Sequence, residues 1–345
     1  MIQYLKMPQK KKVKLIVQIP AYNEQENISK VIKEIPKTIE GVDIVEILII
    51  DDGSTDNTIA EAKKAGADYV VKNTKNSGLA FTFQRGIESA LALGADIIVN
   101  TDADFQYNQK EIPKLIKPIL EKKADIVSGN RQVENLNHMT LSKKYGNILG
   151  SKVVKWSAGY HIQDASSGFR AYNKEAALKL FVTSKHTYTH ETLIQASRRN
   201  LKVIEVPVEF RKRDGDSKLI KTVSSHIKKS MSTISRSTLM YNSLKFFSYL
   251  GAFLIILGLI PMVRWFWLSY IIHDEGSHIQ SLLLGSLLII SGGMSILLGL
   301  ISDILAINRR YLEEILYRIK RHDYESSSNG NSNSFGNGKS WGNRV

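Results

Sequence analysis

Apolar runs of strand length alternate with stretches of helical period along most of the chain before residue 210. Val13 to Pro20 is the first such run and predicts a strand stopped by Pro20. The loop Ala21-Tyr22-Asn23-Glu24 then leads to a helix from Glu26 to about Thr38, with Ile28, Val31, Ile32 and Ile35 on one face and Pro36 ending or bending its last turn. Ile44 to Ile50 is a second strand. Ile59 to Ala65 reads as a helix that Gly66 can cap. Asp68 to Lys72 is a short strand, Gly78 to Leu93 a helix and Ala95 to Asn100 a strand again. This β-α-β-α-β rhythm predicts a parallel sheet with helices on its faces. Ile112 to Lys123 continues it as a helix and Ala124 to Ser128 as a strand. Leu141 to His161 has helical character, Asp164 to Arg170 is a turn-rich break, and helices follow through about Asn200. Val203 to Phe210 alternates apolar and acidic residues as an edge strand does.

The pattern then changes. Lys218 to Ser243 predicts a basic amphipathic helix of the kind that lies on an anionic membrane surface. Phe246 to Val263 is apolar and uncharged, and Leu282 to Ile301 is a second such run. Each reaches the roughly 20 residues needed to cross a bilayer. The link from His273 to Gln280 has no Lys or Arg, whereas Lys221, Lys228, Lys229, Arg236 and Lys245 precede the pair and Arg309, Arg310, Arg318, Lys320 and Arg321 follow it. The positive-inside rule therefore predicts a hairpin with both flanks in the cytoplasm. Arg264 can snorkel near the far end of the first span. Beyond Ser326 the Ser/Asn/Gly-rich tail predicts disorder. The expected domains are 1–215 catalytic, 216–244 amphipathic, 245–303 membrane hairpin and 304–345 basic helix and tail.

The 345 residues carry a net charge of +14 and no cysteine. Thiolate chemistry and disulfides are thereby excluded, and a reducing compartment suits the composition. The charge invites nucleic acid, anionic membrane or phosphorylated substrates, but the basic residues cluster beside the spans, so nucleic acid is not expected. Met1 to Lys12 is basic without an apolar core segment, so no secretory signal is expected.

Chemistry concentrates at the ends of the predicted strands. Asn100-Thr101-Asp102-Ala103-Asp104-Phe105-Gln106 follows one of them, and in open α/β sheets ligands bind at that carboxyl end. Asp102, Asp104 and Gln106 offer hard oxygen ligands to Mg²⁺ or Mn²⁺. An acidic turn alone would look the same, so the other motifs decide. These are Ile19-Pro20-Ala21-Tyr22-Asn23-Glu24, Asp51-Asp52-Gly53-Ser54-Thr55-Asp56, Asp164 with Ser167-Gly168-Phe169-Arg170, and Arg213-Asp214-Gly215-Asp216-Ser217-Lys218.

In this order, and with the terminal hairpin, the motifs resemble family 2 glycosyltransferases of the polyprenyl-phosphate type. That group includes dolichyl-phosphate mannose synthase and the bacterial two-span undecaprenyl-phosphate glucosyltransferases. The resemblance covers about Val13 to Arg321. It implies a Rossmann-like, GT-A type α/β domain that binds a nucleotide sugar, followed by amphipathic juxtamembrane helices and a two-helix transmembrane hairpin. It implies that Pro20, Tyr22, Glu24 and Asp52 hold base and ribose, and that Asp102, Asp104 and Gln106 engage the metal. Arg131 matches the arginine of a Gly-Ser-Arg element, with Asn130 in place of its serine. Arg213 and Lys218 match a phosphate-closing loop that is one residue shorter here, so that Lys212 or Arg211 are alternatives. Phe105-Gln106-Tyr107-Asn108 departs from Leu-Gln-His-Pro, and Asn76-Ser77-Gly78 lacks a second glycine. The expected partners are a nucleotide-sugar donor, a polyprenyl phosphate acceptor and the bilayer, with a homo-oligomer open.

Asp164 has two readings. The resemblance makes it a catalytic carboxylate, and its chemistry equally allows an arginine-orienting residue paired with Arg170 or another cation. A lipid phosphate with a second pKa near ~6 is largely dianionic at pH 7, which favours orientation over proton removal. His161, His186 and His190 lack metal-ligand spacing and read as surface or packing residues, whereas Glu191 opens a helix resembling one beside the family's active site. A processive polysaccharide synthase would carry Gln-x-x-Arg-Trp, and Gln195-Ala196-Ser197-Arg198-Arg199 lacks the tryptophan. A silent nucleotide-sugar-binding scaffold is disfavoured by retention of both Asp102 and Asp104.

Overall fold

The computed structural model describes residues 12–133, 151, 160, 162–183, 188–212, 223–272 and 278–329, without side-chain detail at 223–242 and 325–329. The chain divides into two compact units, Met1–Ile234 with Tyr317–Val345, and Ser235–Leu316. The helix predicted over Leu141 to His161 falls almost wholly outside the described residues.

The first unit is built on a seven-stranded sheet in the order β3-β2-β1-β4-β6-β5-β7. β1 (Lys14–Ala21), β2 (Ile44–Asp51), β3 (Tyr69–Lys72) and β4 (Ile97–Asn100) are mutually parallel, as the alternation predicts. The second half differs. β6 (Arg170–Asn173), unpredicted, inserts antiparallel between β4 and β5 (Ile126–Asn130), and β7 (Val203–Pro207) pairs parallel to β5 at the edge. Arg-Ala-Tyr-Asn has no apolar alternation of its own, and its strand state comes from the two partners that satisfy its backbone.

Alternate strand residues feed two cores, as the period of two requires. Leu15, Val17, Ile19, Ile47 and Ile49 pack with Ile28, Val31 and Ile32 of α1 (Ile28–Glu34) and with Leu115 of α4 (Ile112–Leu120). Ile16, Leu48, Ile50 and Ile98 pack on the other face with Phe83 and Ile87 of α3 (Leu79–Ala92). α5 (Lys174–Lys179) joins this second layer through Ala176 and Ala177, and α6 (Thr189–Arg198) joins it through Ala196.

Element ends follow local chemistry. α1 stops earlier than predicted because Ile35, the residue before Pro36, takes an extended ψ of 125°. α2 (Thr58–Ala65) ends where Gly66 adopts φ +98°, the left-handed cap expected of it. Pro20, in contrast, does not stop β1. Gln18 accepts from Thr101 on the β4 side and Ala21 accepts from Asp52 on the β2 side. Pro20 therefore faces the β4 side, where pairing has already ended at Gln18 and Asn100, and its missing N–H costs no ladder bond.

The second unit contains the apolar parts of α7 (Val223–Phe266) and α8 (Ile279–Asn329), with a π-helical turn at Trp267–Ile271. The membrane-length stretches are Ser243–Ile271 and Ile279–Tyr324. From Val223 onward the predicted amphipathic segment and the first span form one continuous helix, α7. α8 is helical to Asn329, past the predicted start of the tail. Glycines bring the two helices close. A Cβ on Gly251 would meet the Gly292 carbonyl oxygen at 2.6 Å, and one on Gly258 would meet that of Gly285 at 2.9 Å.

Candidate active site

The carboxyl ends of β1, β2 and β4 open onto one cavity. Pro20, Tyr22 and Glu24 line it after β1, Asp52 after β2, and Asp102 and Asp104 after β4. Gly78 and Leu79, where α3 begins, close another wall. Six of the residues singled out in the sequence are thus brought together.

The loops that carry them are cross-linked through their backbones. Asn23, at φ +55°, donates its N–H to the Ser54 hydroxyl at 2.9 Å, and its Oδ1 accepts from Thr55 N–H at 2.9 Å. Glu24 N–H donates to the Thr58 hydroxyl at 2.9 Å. Gly53, at φ +76°, lies so close to Lys75 that a Cβ would come within 2.8 Å of its carbonyl carbon. Only glycine fits this turn. Asp52 is buried with both oxygens engaged. Oδ1 accepts from Ser77 N–H at 2.9 Å and Asn73 Nδ2 at 2.8 Å, and Oδ2 accepts from Gly78 N–H at 2.9 Å.

Asp102 stands against Gly168. A Cβ there would lie 3.1 Å from each carboxylate oxygen and 2.8 Å from the Tyr188 hydroxyl. Asn100 builds this wall by donating to the Gly168 carbonyl and to the Tyr188 hydroxyl, each at 2.8 Å, while its Oδ1 accepts from Gln18 at 2.9 Å. Tyr188 in turn stacks on Phe83 with centroids 3.9 Å apart. Asp104 Oδ1 accepts from Gln106 N–H at 3.3 Å. Gln106 is not among the residues lining the cavity, and its Nε2 donates to the Arg211 carbonyl at 3.3 Å.

A second cluster lies behind. Arg131 grips Asp164 with Nε to Oδ2 at 2.6 Å and with Nη2 to Oδ1 at 2.7 Å, and Nη2 also donates to Ser166 at 2.6 Å. Its guanidinium lies 5.1 Å from the Phe210 ring. Burial works to raise the Asp164 pKa, but the charge and hydrogen bonds of Arg131 outweigh it and hold the carboxyl below its ordinary value. The sequence offered Arg170 as partner to Asp164, and the structure corrects this. Arg170 is fully buried and spends its donors on Ser128, Thr192 and the Thr189 and Ala165 carbonyls. Burial pushes the neighbouring Tyr107 hydroxyl up to about 12, so it stays protonated. Glu191 accepts from the Thr183 N–H and hydroxyl. Arg213 and Lys218 lie outside the described residues, as do His161 and His186. Among the described residues no group of three or more His, Cys, Asp or Glu is arranged to hold a metal.

The model of glycosyl transferase family 2 matches residues 16–181. A UDP-N-acetylglucosamine–dolichyl-phosphate N-acetylglucosaminyltransferase of Methanococcus voltae is 32% identical over 55% of this chain and 83% of its own length. This chain belongs to glycosyl transferase family 2. A dolichyl-phosphate hexose transferase of Haloferax volcanii is 30% identical, over 59% of this chain and 86% of that one. Among solved structures, glucosyl-3-phosphoglycerate synthase from Mycobacterium tuberculosis, in complex with Mn²⁺, uridine diphosphate and phosphoglyceric acid, superposes with a TM-score of 0.53. At 20% identity over 66% of this chain and 78% of that one, the likeness carries the GT-A fold. The protein is therefore a glycosyltransferase with a GT-A type α/β domain.

Several parts of this family 2 site were not named from the sequence. Asn73 and Tyr188, which hold Asp52 and the wall behind Asp102, did not stand out, and Asn100, the first residue of the stretch that carries Asp102 and Asp104, was given no role. For Asn100 a signal existed. Gln18 and Asn100 are uncharged polar residues on two apolar strands, and they face each other in register.

Proposed function

We propose that this chain transfers a sugar from a nucleotide sugar to a polyprenyl phosphate of the dolichyl class, giving a lipid-phosphate monosaccharide. The observation that carries the reading is one cavity gathering Asp52, Asp102 and Asp104 in a chain that also holds two apolar helices of membrane length. The dolichyl-phosphate activities of the Methanococcus and Haloferax relatives support the same acceptor.

Pro20, Tyr22, Glu24 and Asp52 would hold the nucleoside. Asp102 and Asp104 fit Mg²⁺ or Mn²⁺. Both are hard oxygen donors on the cavity wall, the donor chemistry such a cation takes. Gln106, off the cavity wall with its side-chain amide on the Arg211 carbonyl, is left out of the ligand set. A divalent cation held there supplies positive charge to the leaving diphosphate. The acceptor phosphate, second pKa near ~6, is already an oxyanion at neutral pH and calls for positioning more than for a base. Arg213 and Lys218, with exposed Lys212, would bring it in line for displacement with inversion. Arg131 and Asp164 neutralise each other and act as one rigid wall. The domains 1–215, 216–244, 245–303 and 304–345 would then serve as catalytic domain, interfacial helix, hairpin and basic tail, with catalytic domain and C-terminus cytoplasmic.

Purified protein incubated with a panel of UDP- and GDP-sugars and dolichyl phosphate tests this, with mass spectrometry of the lipid. A single-sugar phospholipid is expected from one donor. A polymer, or no lipid product from any donor, would overturn the reading.

A further inference from the structure

Phe105, between Asp104 and Gln106, has φ +61°, a left-handed conformation that is strained for a bulky L-residue. The segment after β7 holds it there. Tyr107 and Phe210 form an isolated antiparallel bridge. One residue further, Arg211 N–H donates to the Gln106 carbonyl at 2.8 Å, and Gln106 Nε2 returns a bond to the Arg211 carbonyl at 3.3 Å. The Arg211 guanidinium lies 4.8 Å from the Phe105 ring centroid. It is aimed by Glu34 at the end of α1, whose carboxylate takes Nη2 at 2.9 Å and Nη1 at 3.1 Å. Glu34 also accepts from Gln109 N–H at 3.0 Å, which ties α1 to the chain just past the loop.

We infer that Arg211, oriented by Glu34, is a positioning residue that keeps Phe105 in its left-handed turn and so sets Asp104 for a divalent cation. This rests on the reading of Asp104 as a cation ligand. The turn is what brings Gln106 N–H back onto Asp104 Oδ1. A relaxed Phe105 would swing the carboxylate by a backbone rotation rather than a side-chain one. Tyr107, by contrast, is anchored independently by Phe169 and Phe210, with ring centroids 5.1 and 5.2 Å away. Loss of Arg211 therefore releases Phe105 while Tyr107 and the helix beyond it stay folded. The assignment also removes Arg211 from the candidates for a phosphate-binding cation, leaving Lys212, Arg213 and Lys218.

The test is titration of the full-length protein with Mn²⁺, free metal being read by electron paramagnetic resonance. Arg211→Met should weaken Mn²⁺ binding about tenfold, the equivalent of ~1.4 kcal/mol. Glu34→Gln should act in the same direction, and the double variant should be no worse than Arg211→Met alone. In transfer assays Arg211→Met should raise the Mn²⁺ activation constant while kcat at saturating Mn²⁺ stays within about twofold. Glycine takes positive φ without penalty, so Phe105→Gly added to Arg211→Met should return binding to within about threefold of wild type. Wild-type Mn²⁺ affinity in both Arg211→Met and Glu34→Gln would overturn the inference, as would absence of rescue by Phe105→Gly. A wild-type protein that binds no Mn²⁺ would overturn both this and the reading of Asp104. If Arg211→Met does not fold, Glu34→Gln supplies the same readout.

Discussion

Asp52 Oδ2 accepts the N–H of Gly78 at 2.9 Å, so the residue just after β2 fixes the residue that caps the start of α3. With Oδ1 taking Ser77 N–H and the Asn73 amide, every partner of this carboxylate is a donor. An amide in its place must turn its NH₂ toward at least one of them. Asp52→Asn should therefore loosen both walls of the cavity and weaken nucleotide binding about tenfold, a loss of ~1–2 kcal/mol for an unmade buried hydrogen bond. Calorimetric titration with UDP and GDP checks this. Unchanged affinity for both would remove Asp52 from the nucleotide site.

Asp104→Ala should abolish transfer, because the leaving diphosphate loses the charge that a cation ligand brings, and Asp102→Ala should be nearly as severe. Gly168→Ala should mimic the second loss without touching a carboxylate. Its new methyl would crowd both Asp102 oxygens at 3.1 Å and the Tyr188 hydroxyl at 2.8 Å. Circular dichroism should show a native fold in all three. Near wild-type turnover of Asp104→Ala with EDTA present would sink the metal-assisted mechanism.

How much of the site is legible in the sequence depends on whether a feature is local. Gly66 announces a helix end by itself, and the Asp102-Ala103-Asp104 turn follows an apolar strand within a few residues. The Arg131–Asp164 pair spans 33 residues, so no spacing could propose it over Arg170. β6 was missed for the same reason. Four residues of mixed character become a strand only because β4 and β5 flank them. Positive φ at Phe105 left no trace in the sequence either, since aromatic residues seldom adopt it.

In the hairpin, Gly251 and Gly292 approach so closely that a Cβ on either would meet the other's carbonyl oxygen at 2.6 or 2.7 Å. Backbone cannot step aside as a flexible side chain can. Gly251→Leu and Gly292→Leu should each part the helices and lower the melting temperature in detergent by several degrees. Gly293, the next residue, has nothing within 4 Å of its would-be Cβ, so Gly293→Ala should melt as wild type. Equal melting of Gly292→Leu and Gly293→Ala would exclude the close crossing.

Orientation in the membrane is open to chemical labelling, because the chain has no cysteine of its own. Ser277→Cys lies in the link without Lys or Arg, and Ser326→Cys follows the basic residues Arg318, Lys320 and Arg321 in the last turns of α8. In intact cells an impermeant thiol reagent should reach the first and not the second. Labelling of both, or of neither until lysis, would exclude the hairpin with cytoplasmic flanks.

Both Asp164 oxygens are held by Arg131, and Arg131 N–H adds a third bond to Oδ2 at 3.1 Å. A carboxylate so held, with its pKa below the ordinary value, stays ionised at every pH where the acceptor phosphate titrates. It contributes stability that is present above the unfolded-state pKa, near ~4, and is lost as pH falls through the lower folded value. Asp164→Asn leaves the Arg131 cation buried against a neutral amide, which costs about 3 kcal/mol. Its melting temperature should fall below wild type at neutral pH, and the gap should close only in acid below about pH 4. Activity separates the two roles. An orienting residue predicts a loss of rate that is constant from about pH 5 to 8, since the geometry of Arg131 does not titrate there. A general base predicts a large loss at low pH that vanishes above the phosphate pKa of ~6, where the acceptor ionises unaided. The paired geometry favours the constant loss. A pH–rate profile of Asp164→Asn that converges on wild type at high pH would establish the base instead.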